Sequence, residues 1–121
     1  MEKRIVVAGS RYYENYEEAK EFIAECTEDY KTEKLILLSG RCRGADRLGE
    51  RFAVENQWGI EFYPAEWQKY GKAAGPIRNL AMVDKCDAVV CFWDGKSRGT
   101  GSLIRYAKKA GKPIFVKYIE L

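Results

Sequence analysis

Nine residues, WDGKSRGTG from Trp93 to Gly101, hold three glycines, two cations, two hydroxyls and a carboxylate directly after an apolar run. A connecting turn needs only one or two Gly, Asn or Asp, so the excess of bare amides and positive charge asks for a cause. Glycine lets backbone N–H groups approach oxygens closely, and Arg can grip those oxygens bidentately, so the chemistry on offer is phosphate binding. The nucleotide motifs with fixed spacing do not fit. G-x-x-x-x-G-K-[ST] would need Gly at 90, where Val90 stands, and G-x-G-x-x-G begun at Gly99 and Gly101 meets Ile104.

Three further segments share this character: GSRYY (Gly9 to Tyr13), SGRCRGAD (Ser39 to Asp46) and PAEWQKYGKAAGPIRN (Pro64 to Asn79). With Trp93 to Thr100 they carry eight of the chain's 21 Lys+Arg and only three of its 18 Asp+Glu, which leaves the remainder slightly acidic. The overall charge of +3 is too mild by itself to signal a nucleic-acid binder; its concentration in four segments is the informative part. The chain has no histidine, which excludes Ser-His-Asp and Cys-His nucleophile arrangements and His-containing zinc sites, and no metal site is expected. Chemistry must run on carboxylates, hydroxyls, amides and cations.

These segments need elements to position them. IVVA (Ile5 to Ala8), LILL (Leu35 to Leu38), IEFY (Ile60 to Tyr63), AVVCF (Ala88 to Phe92) and IFVKY (Ile114 to Tyr118) read as strands, and their continuous apolarity predicts burial on both faces and a parallel sheet. Ala19, Phe22, Ile23 and Cys26 at i, i+3, i+4 and i+7 predict a first helix, with Asn15 and Glu18 as a capping box. Further helices are expected over Ala45–Asn56, Ala74–Lys85 and Thr100–Ala110. Strict alternation of five strands and four helices predicts a three-layer α/β fold with a mainly parallel sheet. The four unusual segments then fall at the carboxyl ends of the first four strands, where such sheets bind ligands.

At 121 residues and 46% hydrophobic, the chain suits one domain, 1–121. Cys26, Cys42, Cys86 and Cys91 form no C-x-x-C pair, and neither a signal peptide nor a long apolar run is evident. A reduced, cytoplasmic protein without membrane contact is the expectation.

VAGSR (Val7 to Arg11), SGRCRGAD, the long segment ending in GPIRN with Met82 after it, and DAVVCFWDGKSRGT (Asp87 to Thr100) together resemble the YspA-like, cpYpsA-related branch (YAcAr) of the SLOG superfamily. The resemblance covers essentially the whole chain. It implies a Rossmann-like domain that binds nucleotides or nucleotide-derived ligands at this edge. Related branches are the Lonely Guy phosphoribohydrolases, which cleave the N-glycosidic bond of cytokinin nucleotides, and DprA, which binds single-stranded DNA. In the phosphoribohydrolases an Arg and the Glu of a PGGxGTxxE loop form the catalytic pair. Arg78 matches that Arg, and Gly99 and Thr100 match the GT, but Leu103 stands at the Glu and Trp93 and Asp94 displace the PG. Glycosidic cleavage needs a carboxylate to activate water or stabilise the developing cation, which leucine does not supply.

Residue by residue, the phosphate side is expected at Gly95, Ser97, Gly99 and Thr100, with ligand contacts from Gly9, Ser10, Arg11, Gly40, Arg41, Gly44, Tyr70, Arg78 and Asn79. Asp46 suits either a ligand contact or a cap on the second helix. Tyr70 and Trp67 offer stacking faces or packing anchors, Trp67 more often the latter. Cys42 reads as an inert thiol.

The leading expectation is binding or sensing of a nucleotide or ADP-ribose-like phosphate ligand, with no other cofactor required. The alternatives are a nucleotide hydrolase acting on an N-glycosidic or phosphoanhydride bond through Arg78, Asp94 and Glu66, and a DprA-like single-stranded nucleic-acid binder, which the mild charge ranks last. A homo-oligomer is also in view, from relatives that associate through a helix face and from apolar Ile119 and Leu121.

Overall fold

A computed structural model describes residues 1–121. Strands β1 (Glu2–Gly9), β2 (Lys34–Ser39), β3 (Gly59–Phe62), β4 (Ala88–Trp93) and β5 (Ile114–Tyr118) form one sheet in the order β3-β2-β1-β4-β5. All four pairings are parallel, so the expected sheet is found without an antiparallel strand. Helices α1 (Tyr16–Cys26), α2 (Ala45–Glu55), α3 (Trp67–Tyr70), α4 (Ala74–Lys85) and α5 (Arg98–Lys109) connect them, with short 3₁₀ turns at Glu28–Tyr30 and Gly71–Ala73.

Alternation along each buried strand sorts its side chains into two cores. Ile5, Val7, Leu37, Val90 and Phe92 meet Ala19 and Ile23 of α1 and Phe52 and Ala53 of α2 on one face. Val6, Ala8, Leu38, Val89 and Cys91 meet Met82 and Val83 of α4 and Leu103, Ile104 and Ala107 of α5 on the other. This two-sided burial is what the continuous apolar runs require, and each fully buried Leu, Ile or Phe contributes about 1.5–3 kcal/mol. Ile119 also belongs to the first core, so only Leu121 is left exposed of the two terminal apolar groups.

Local chemistry explains the differences from the sequence expectations. β1 starts at Glu2 because pairing of Glu2 with Lys34 and Lys3 with Leu35 carries the ladder into charged residues. The turn α3 is too short to show a helical period. Asn15 caps α1 through its Oδ1, which accepts from the Glu18 amide at 3.1 Å. The reciprocal half of a capping box is replaced, since the Glu18 carboxylate accepts instead from the Tyr13 hydroxyl at 2.6 Å.

Helix α2 lies directly on β1 at Gly49, where an added Cβ would stand 2.8 Å from Val7 Cβ. Ala is favoured over Gly inside a helix by about 1 kcal/mol, so the sign of a substitution reports the packing. Val7 Cβ is tied to a central strand and cannot retreat, and overpacking costs about 1–3 kcal/mol. Gly49→Ala is therefore expected to lower the urea unfolding midpoint; an unchanged or raised midpoint would refute the close approach.

Candidate functional site

Strand order reverses between β1 and β4, which pair from Ile5–Ala88 to Gly9–Phe92. Loops leaving these two neighbours diverge, so a crevice opens beyond their carboxyl ends. A cavity of about 370 Å3 occupies this place, with Ala8, Met82 and Leu103 as apolar lining and Ser10, Arg11, Asp46, Arg78, Asn79, Asp94, Lys96, Ser97, Gly99 and Thr100 as polar lining. Segments far apart in the chain thus meet at one point.

The β4–α5 loop is folded by its own residues. Asp94 Oδ1 accepts from the amides of Lys96 at 2.9 Å and Ser97 at 2.8 Å, and the Trp93 indole N–H donates to the Ser97 carbonyl at 3.0 Å. Trp93 also packs on Tyr118, with centroids 5.9 Å apart, and does not line the cavity. No side chain caps α5, and its first backbone bond is Gly101 N–H to the Ser97 carbonyl at 3.1 Å. The amides of Arg98, Gly99 and Thr100 therefore have no intramolecular acceptor, and the helix dipole adds partial positive charge there. Gly95 lies in the turn with φ 81 and is exposed.

The opposite wall is a network around Arg78. Its guanidinium donates to the carbonyls of Gly40 at 2.7 Å and Tyr63 at 3.4 Å and to Asn79 Oδ1 at 2.8 Å, and lies 3.8 Å from Cys42 Sγ. Asn79 passes the link on by donating to the Gly99 carbonyl at 3.3 Å. A side chain at Gly40 would displace this network, because a Cβ there would stand 2.5 Å from Arg78 Nη1 and 2.9 Å from Asp46 Oδ2. Gly44, at φ 78, lets the β2–α2 loop close on β1, where the Ala45 amide donates to the Ser10 carbonyl at 3.0 Å. Ser10 Oγ accepts from the Tyr12 amide at 3.2 Å.

Two carboxylates reach the cavity in opposite environments. The loop amides hold the Asp94 carboxyl below the ordinary range. Asp46 is 4% exposed and accepts from the Cys42 amide at 3.3 Å. Burial pushes its pKa up to about 6, against the amides of Cys42 and Gly40 and the Arg78 charge, which favour the anion. Asp46 thus sits at the buried wall of the site, where enclosure disfavours its anion.

The other expected residues lie around this centre. Gly9 ends β1 beside Phe92 and lines the cavity. Gly40 and Arg41 line an adjoining cavity; Arg41, at φ 66, pairs with Glu50 at 2.8 Å and covers the Phe62 ring. Glu66 and Tyr70 are exposed and line neither cavity; Glu66 serves α3 through its carbonyl, which accepts from the Lys69 and Tyr70 amides at 3.0 Å. Ala8 and Tyr12 also line the cavity; they flank the Gly9–Arg11 turn, but neither has the charge or bare amide that marks a phosphate contact in the sequence.

A folded chain that keeps the Asp46 proton to higher pH than the unfolded chain is favoured by protonation. Stability therefore falls as pH rises from about 4 to about 6, by on the order of 3 kcal/mol from this group. In Asp46→Asn that part of the slope disappears. Urea unfolding of both proteins at pH 4 and pH 7 checks this, and parallel profiles would refute it.

Residues 3–70 match the YspA, cpYpsA-related SLOG family. Gene 61 protein of Mycobacterium phage D29 is 32% identical over 123 aligned residues, spanning 93% of this chain and 94% of the relative. Among solved structures, DNA processing protein A (DprA) from Streptococcus pneumoniae aligns over 100% of this chain and 52% of its own, with 19% identity and a TM-score of 0.71. This chain spans about half the length of that protein. DprA from Helicobacter pylori, whose structure is described by its single-stranded DNA binding mode, aligns over 98% of this chain and 66% of its own, with 18% identity and a TM-score of 0.67. These structures share the parallel α/β fold. The sequence matches and the five-stranded architecture agree: the chain belongs to the YspA, cpYpsA-related SLOG family.

Proposed function

We propose that the cleft between β1 and β4 binds a nucleotide or nucleotide-derived phosphate ligand of the ADP-ribose type. The observation that carries this reading is the uncapped start of α5: three free amides, two of them on Gly99 and Thr100 in the lining of a cavity that Arg11 and Lys96 also line. Phosphate oxygens fit these donors, because amides and dipole act together and the cations add charge-assisted bonds. Ala8, Met82 and Leu103 form a packed apolar floor that suits the less polar faces of a ribose or base, while the Asp46 carboxyl at the cavity wall offers a hydrogen-bonding group for a hydroxyl.

Binding without turnover is favoured by the carboxylates. Asp94 is committed to loop amides, Leu103 is 1% exposed in the core, and Glu66 lies outside the cavity. A hydrolase reading is supported by one observation, the Asp46 carboxyl enclosed at the cavity wall with Arg78 in the same lining, where burial raises its pKa above the ordinary carboxylate range. In that case Asp46 would take or give the proton, with Arg78 positioning the loop that holds it.

Gly99→Asp separates binding from folding. A Cβ at 99 meets nothing within 4 Å, and a carboxylate at a helix N-terminus is favourable, so the fold stays intact while the amides acquire an internal anion. Native mass spectrometry and melting curves with AMP, ADP and ADP-ribose are expected to show bound ligand and a raised melting temperature for the parent chain, both lost in Gly99→Asp. No bound mass and no shift with any of the three would sink the proposal. Release of free base or ribose phosphate that stops in Asp46→Asn would establish the hydrolase reading instead.

A further inference from the structure

A second cavity of about 350 Å3 adjoins the first, with Arg11, Cys42 and Arg78 lining both. Arg41, Arg43 and Trp67 complete its character: four arginines and an indole, with no carboxylate in the lining. Arg78 and Arg41 are partly committed to carbonyls and to Glu50, but Arg11 and Arg43 have no carboxylate partner. Arg43 instead lies over the exposed Tyr12 ring, 5.2 Å from its centroid.

Trp67 is 51% exposed although it is the largest side chain of its loop. Its ring edge rests on the start of α4, where a Cβ at Gly75 would stand 3.5 Å from Cη2, so the indole is seated without being covered. A seated, half-open indole next to unpaired guanidinium groups offers a stacking face for a base and charge for a phosphate.

We propose that these two cavities form one site for a dinucleotide, with one nucleotide in the cleft at α5 and the second stacked on Trp67 with its phosphate at Arg11 and Arg43. This rests on the nucleotide reading of the first cleft. A long single strand is the poorer fit, because it needs a continuous basic track and the chain outside the four loops is slightly acidic.

Calorimetric titration of the full chain with AMP against pApA, and GMP against pGpG, tests the second cavity. For one base or both, the dinucleotide is expected to bind at least tenfold more tightly than its mononucleotide. In Trp67→Leu/Arg43→Ala, whose altered side chains are exposed, that gain is expected to vanish while mononucleotide affinity stays. Equal affinities in the parent chain, or a gain that survives the double substitution, would overturn the second subsite and leave the first cleft standing. Failure of all four compounds would overturn the dinucleotide site, and titration with ADP-ribose then decides the first cleft by itself. A ten-nucleotide single strand binding more than tenfold tighter than either dinucleotide would assign the surface to nucleic acid and overturn the dinucleotide.

Discussion

Strand β1 is hydrogen-bonded on both sides by parallel neighbours, and the chain reaches those neighbours by leaving in opposite directions. Parallel pairs require crossover connections, and the crossovers place α1 and α2 on one face and α4 and α5 on the other. The loops after β1 and β4 consequently part from each other, and the crevice between them is a by-product of satisfying the backbone of a buried central strand. Residues from all four unusual segments gather around that crevice.

The cationic character of the edge overstates the charge free for a ligand. Arg78 is consumed by two backbone carbonyls and Asn79, and Arg41 by Glu50, which also accepts from Ser39. These arginines stiffen the β2–α2 loop and join it to α4, at the expense of their own reach. Arg11, Arg43 and Lys96 remain without carboxylate partners. Such a division is physically sensible: an anion site needs rigid amides and fixed geometry as much as it needs charge.

Burial divides the two aspartates in the same way. Asp94 accepts two amides at the rim and is held as an anion, whereas Asp46 is enclosed and its charged form is penalised. Asp94, the candidate acid or base of the exposed loop, spends Oδ1 on two loop amides. The carboxyl group with a pKa near neutrality is the one whose role the sequence left open between cap and contact. In the structure Asp46 occupies the first turn of α2, but its oxygen accepts from Cys42 in the preceding loop and it does not cap the helix.

Short-range chemistry made much of this legible beforehand. Continuous apolar runs separated by helical periods lead to a parallel three-layer sheet, because only two-sided burial rewards such runs, and Gly, Ser and Arg clusters at strand ends mark the loops that gather at one edge. Composition does not reveal that Glu66 and Tyr70 stay outside the cavities while Ala8 and Tyr12 line the first, nor that Arg78 spends donors internally. Those outcomes depend on strand order, on the close approach allowed by Gly40 and on the burial of Asp46, all of them contacts between residues distant in sequence. The sequence by itself determined which elements form and which residue types crowd one edge, since these follow from local periodicity and turn chemistry. The tertiary structure alone decided which donors stay free and which carboxyl titrates, because both depend on what a folded chain brings into contact and what it shuts away from water.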